Sequence, residues 1–167
     1  GTRYRILPKS LAEGTEPVTP LGATKTKRID VTLVSPVLGL EIGVSLKGMN
    51  SRDGGSGNFD KNVTGRLYEM GDEMQLVHEH LPHAFMVGIF FIPIDGTMDK
   101  TRSSFAHTVI KLRARTTRLD TTMAAHATRC DAAFVALYAT GNDEIDLPAG
   151  VTRFFDVADM PPKRGRP

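Results

Sequence analysis

Residues 84–92, Ala-Phe-Met-Val-Gly-Ile-Phe-Phe-Ile, form a run of nine without one polar side chain, bounded by Pro82 and Pro93. The run has the length of a strand and falls well short of the roughly 18 residues of a membrane span. An uninterrupted apolar strand is the pattern of a central strand covered on both faces. The rest of the chain must supply that cover. A second buried run, Ala132 to Tyr138, has the same character. Between and before these runs lie two helical patterns. Leu67, Met70, Met74, Val77 and Leu81 recur at spacings of three and four, which predicts a helix from a Thr64 cap to about His80, stopped by Pro82. Ser103 or Ser104 is placed to cap a second helix through Phe105, Val109, Ile110 and Leu112 to about Arg115.

Residues 29–34 read as a strand. Ser35-Pro36 and Gly39 mark a turn, and residues 38–47 read as the antiparallel return strand. Residues 151–157 form a last strand. The order is strand, strand, helix, strand, helix, strand, strand, which predicts an α/β sandwich around a mixed central sheet. Residues 1–27 read as an irregular N-terminal segment in which residues 3–7 can form a short strand. Residues 28–160 form the domain, and 161–167 a basic, disordered tail. The Gly/Ser/Asp-rich stretch 50–62 reads as a mobile loop too polar to pack. It lacks the Gly-Lys-Ser/Thr ending of a P-loop.

The 167 residues suffice for one domain with a core. A single cysteine, Cys130, rules out an intrachain disulfide framework and a cysteine zinc site. No signal-peptide layout or membrane span is legible, so a cytoplasmic, membrane-free protein is expected. A net charge of +2 permits a nucleic-acid partner without requiring one. The abrupt start suggests a piece of a longer protein; a homo-oligomer is the other assembly expected.

Charged groups inside apolar strands are costly to bury without partners. Asp30 begins the first hairpin strand and Lys47 ends the second. By the period of two, Glu41, Gly43, Ser45 and Lys47 share one face. A turn near Val37 would bring Asp30 opposite residues 44 to 46. The plain alternative is a structural ion pair. The chemical one is a site in which a carboxylate and a neighbouring backbone carbonyl hold Mg²⁺ while Lys47 positions or deprotonates a water for phosphodiester hydrolysis.

Asp30 followed 15 residues later by Ser45-Leu46-Lys47, in a strand–hairpin–helix–strand context over residues 28–92, resembles the PD-(D/E)xK nuclease superfamily, the restriction-endonuclease-like fold. The resemblance implies a three-layer sandwich around a mixed sheet and a metal-dependent DNA endonuclease, of restriction or defence type. It implies Asp30, Ser45 and Lys47 as catalytic positions. Asp30 and the Leu46 carbonyl would be ligands to Mg²⁺ or Mn²⁺, with Glu41 a second-rank ligand about 13 Å along the strand from Ser45. The sequence departs from the pattern at Ser45, which replaces the triplet's acid. Some members relocate that acid, and Glu13 or Glu16 could serve. With no replacement, the expectation is a degenerate DNA-binding or assembly module on the same fold.

Lys27, Arg28, Asn58, Asn62, Arg66, Arg113 and Arg115 are the candidate DNA contacts. Arg66, Glu69 and Glu73 read foremost as a solvated helix face. His78, His80 and His83 are spaced two and three apart, unlike the i,i+4 histidine pair of a helical zinc site. His107 and His126 read as isolated structural residues.

Overall fold

The computed structural model describes residues 5–7, 17–18, 27–99, 102–116 and 126–159. The strands are β1 (Arg5–Leu7), β2 (Pro17–Val18), β3 (Lys27–Arg28), β4 (Val31–Ser35), β5 (Gly39–Gly48), β6 (Phe85–Pro93), β7 (Ala132–Tyr138) and β8 (Thr152–Asp156). The helices are α1 (Val63–His80) and α2 (Ser104–Arg113). The main sheet runs β1-β4-β5-β6-β7-β8, and β2 pairs with β3 in a separate ladder. The segment before residue 28, expected to be irregular, thus contributes three short strands. The expected tail and residues Glu13 and Glu16 lie outside the described residues.

β4 is antiparallel to both β1 and β5, and β7 to β8. The middle of the sheet is parallel. Met49 N–H, just past the end of β5, donates to the Phe91 carbonyl near the end of β6 at 2.9 Å. Asp131 N–H, just before β7, donates to the Met86 carbonyl near the start of β6 at 2.9 Å. Like ends therefore lie together, and each of these two parallel steps has a helix in its connection, as a parallel step requires. The protein is α/β, with a mixed open sheet and two helices.

The chain divides into two compact units. The first comprises Gly1–Ser45, Tyr68–Gly88 and Thr117–Ala132. The second comprises Leu46–Leu67, Ile89–Thr116 and Ala133–Pro167.

In the first unit, Met70, Met74 and Val77 of α1 are fully buried, with Met86 and Cys130. Gly88 permits this closeness, because a Cβ there would come within 2.6 Å of the Met70 sulfur and 3.0 Å of the Cys130 sulfur. Gly43 has the same role, since its Cβ would meet the Met86 sulfur at 2.6 Å. Burial, followed by the negative charges of Asp131 and Glu73, pushes the Cys130 thiol up to about 12. A thiol in that state is inert. Its alkylation at mildly alkaline pH should run about 10³-fold slower in the folded protein than in urea, as a thiol assay would show. With the folded pKa raised, this group's contribution to stability is fully present below 9.0 and is lost as pH rises toward about 12.

In the second unit, the loop before α1 is built rather than loose. Asn58, Phe59 and Asp60 are buried. Asp53 N–H donates to the Asn58 carbonyl and Gly57 N–H to the Asp53 carbonyl, both at 2.8 Å. The Asp53 side chain accepts from Ser56 N–H at 2.9 Å and pairs with Lys61 at 2.5 Å. These bonds hold its carboxyl well below the usual range, Lys61 first and Ser56 next. Phe59 N–H donates to Ser104 Oγ at 2.9 Å, and the Arg52 guanidinium lies 4.5 Å from the Phe59 ring centroid. The polar side chains were expected to keep this loop in water; instead they close its own turn, which leaves Phe59 free to pack. A 3-10 turn, Asp60–Asn62, precedes α1, so Thr64 lies inside the helix rather than capping it. Ser103 is the cap of α2, accepting from Ala106 N–H at 3.2 Å.

β6 alternates rather than being closed on both faces. Met86, Gly88, Phe90 and Ile92 are buried, while Val87, Ile89 and Phe91 are half-buried. Apolar side chains tolerate partial cover, so an unbroken apolar run does not by itself require two closed faces.

Candidate functional site

The hairpin register pairs Val31 with Val44 and Thr32 with Gly43. The ladder ends at the Val31–Val44 pair, and Asp30, half-buried, lies in the bend just before β4. Paired residues share a face, so Thr32 falls on the face of Gly43, and Ser45 follows on it by the period of two; buried Ile29 reaches the same side, its Cγ2 3.3 Å from where a Cβ of Gly43 would lie. Lys47 follows on that face by the period of two, about 7 Å along β5 from Ser45. Gly43, Ser45 and Lys47 are buried, while Ile42, Val44 and Leu46 are half-buried. The polar face of β5 is therefore the inner one, an inversion of the usual order that needs polar partners inside.

Ser45 has such a partner. Its hydroxyl donates to Glu73 Oε2 at 2.5 Å, with Ser45 wholly buried and Glu73 8% exposed. This overturns the reading of Glu73 as part of a solvated helix face. Glu69 and Arg66 are exposed, as that reading expected. The signal for Glu73 was present in the spacing. It lies three residues after Met70 and four before Val77, within about 60° of both on a helical wheel. A lone acid on the apolar stripe of α1 needs a polar group facing it, and Ser45 is that group.

Glu41 is removed from the site by a bulge. The register passes from Leu33–Ile42 to Val34–Leu40, leaving Glu41 as the extra residue on β5. Bulges reset the alternation of faces. Leu40 takes the buried side, and Glu41 and Ile42 are both half-buried. The expectation that Glu41 shares the face of Ser45 is therefore corrected.

The candidate DNA contacts differ in exposure. Asn62, Arg66 and Arg113 are exposed, Arg115 is half-buried, and Asn58 is buried. Lys27 and Arg28 form β3, whose side chains lie outside the described residues. The histidines go separate ways. His78 Nδ1 bonds the Ala127 carbonyl at 2.8 Å, His80 Nδ1 the Leu76 carbonyl at 2.9 Å, and His83 Nε2 the Leu38 carbonyl at 3.1 Å. His107 is not isolated, because its Nδ1 meets the buried Asp60 carboxylate.

Among the described residues, no three His, Cys, Asp or Glu side chains gather as a metal-holding group. Mg²⁺ does not need one. It is held by one or two carboxylates, with waters and substrate phosphate completing the shell. Glu73, hydrogen-bonded to Ser45, and Asp30, in the bend before β4, both belong to the first unit and are oxygen donors of the kind that ion takes. Comparison with family models, curated proteins and solved structures found no match to the chain.

Proposed function

We propose that this protein is a Mg²⁺-dependent DNA endonuclease of the restriction-endonuclease-like fold, in which Glu73 replaces the acid absent at Ser45. The observation that carries the reading is the buried Ser45–Glu73 hydrogen bond. It supplies a carboxylate from α1 at the strand position where the PD-(D/E)xK pattern has its own. Asp30, Glu73 and the Leu46 carbonyl are the residues that would hold the ion, and Mn²⁺ suits the same oxygens. A bound divalent ion supplies charge neutralisation at the phosphodiester and a more acidic water.

The chain's own groups have distinct tasks. Asp30 and Glu73 contribute the two negative charges. Ser45 fixes the Glu73 carboxylate by donating to one of its oxygens. Lys47 places a cation at the reacting phosphate and orients the attacking water, or takes its proton. A restriction or defence role would suit such an enzyme.

Asp30→Ala and Lys47→Ala should each abolish Mg²⁺-dependent cleavage of supercoiled plasmid while the circular dichroism spectrum is retained. Wild-type rates in either variant would refute the assignment. Wild-type protein that binds duplex DNA yet never nicks it with Mg²⁺ or Mn²⁺ would select the binding-module alternative.

A further inference from the structure

A second polar cluster lies within the second unit. Asp60, in the 3-10 turn before α1, is 3% exposed. Its Oδ2 accepts from Arg102 Nε at 2.7 Å and also meets His107 Nδ1. Arg102 stands just before α2, and His107 is in its first turns. The carboxylate is buried, but the cations are not: the Arg102 side chain is 57% exposed and that of His107 21%. Asp53 anchors Lys61 in the same way, with the lysine 65% exposed. A cavity of about 450 Å³ is lined by Asp53, Ser56, Asn58, Asp60, Lys61 and Arg102.

Each carboxylate is engaged by at least one cation, so neither is left to attract a metal ion. The donors are only partly used. Arginine carries five N–H donors, and Asp60 engages the Nε edge, leaving the terminal nitrogens for a second oxyanion. Histidine bonded through Nδ1 to a carboxylate has a fixed ring and offers Nε2. Lysine has three donors, of which Asp53 takes one. The fork of an arginine and a lysine on one cavity together suit one chemistry, a tetrahedral phosphate group.

The geometry points to a phosphate-binding site at Arg102 and Lys61, held in shape by Asp60 and Asp53 and bordered by His107, which shares Asp60 with Arg102, that grips a backbone phosphate of the nucleic acid. The choice of that source rests on the endonuclease reading; the site itself rests on the cluster.

Two measurements test it. The first is duplex DNA binding in EDTA, by fluorescence anisotropy, across roughly 50 to 200 mM salt. Arg102→Ala and Lys61→Ala should each reduce the slope of log K against log salt by about 0.9, with Arg102→Lys in between. The second is titration of the metal-free protein with inorganic phosphate, following the His107 ring signals by NMR. A saturable shift is expected in the wild type and should be lost in Arg102→Ala. Unchanged slopes in protein that binds DNA, with no phosphate response at His107, overturn this site and leave the endonuclease reading standing. A phosphate response in wild type that fails to bind duplex supports the site, assigns its ligand as a free phosphate group and counts against the endonuclease reading. Arg102 is exposed, so loss of folding is not expected in its variants, and their thermal midpoints check this.

Discussion

Glu73→Gln is expected to lower plasmid cleavage by about 10²–10³-fold with little change in the urea midpoint. Glutamine has the shape of glutamate and can still accept from the Ser45 hydroxyl, so packing on α1 is retained while the negative charge is lost. Ser45→Ala tests the other partner. It keeps the charge but frees the carboxylate to rotate, and an orienting contact of this kind is worth about 10–100-fold. The decisive variant is the double substitution Ser45→Asp with Glu73→Gln, which returns the acid to the strand. Partial recovery of cleavage over Glu73→Gln alone would show that the two positions serve one coordination point. Cleavage by Glu73→Gln at the wild-type rate would instead reduce the Ser45–Glu73 pair to a structural hydrogen bond.

Asp99→Ala is expected to destabilise the protein by about 3 kcal/mol, a fall of roughly 10 °C in Tm. Asp99 is 2% exposed. It accepts from Ser104 N–H at 3.1 Å, from the Ser104 hydroxyl, from Phe59 N–H at 3.4 Å and from Arg52 Nη1 at 3.4 Å. Truncation leaves buried donors on two segments without that acceptor. Asp99→Asn keeps an oxygen there and should cost less. The pH dependence separates charge from hydrogen bonding. Burial raises the Asp99 carboxyl above 3.8, against the lowering effect of its hydrogen bonds and Arg52. In that window the folded state binds the proton more readily than the unfolded state, so this group's contribution to stability falls as pH rises through it. Relative to Asp99→Asn, the wild type should therefore gain stability as pH is lowered from neutrality toward 3.8. Parallel urea midpoints for the two proteins over that range would disprove the buried-charge account.

The elements were legible because their signals are local. Residues 132–138 form the strand their apolar run predicts, and β6, α1 and α2 begin and end within two residues of the expected limits. The alternation of strand and helix was enough for the α/β class. Errors arose where a residue's fate depends on a distant segment. The loop at 50–62 reads as solvated by its polarity, but the Asp53 turn uses those polar groups internally. His107 looked isolated because Asp60, its partner, is 47 residues away. Glu41 looked aligned with Ser45 because a bulge leaves no plain mark in composition. Glu73 reads as solvated by its charge, whereas its position on the stripe of Met70 and Val77 is what buries it against Ser45. Ser45 and Glu73 each look wrong alone, a hydroxyl where an acid is expected and an acid where an apolar residue is expected; only tertiary contact joins the two anomalies.

Placing one acid on a helix, rather than beside the lysine on the strand, also affects the order of synthesis. With the strand arrangement, a hairpin alone would bring the essential charges together soon after it left the ribosome. On the proposed assignment, Asp30 and Lys47 emerge before Glu73, and Glu73 reaches Ser45 only once α1 has docked. On that assignment, a nascent or partly melted chain would hold an incomplete set of charges until α1 has packed against β5.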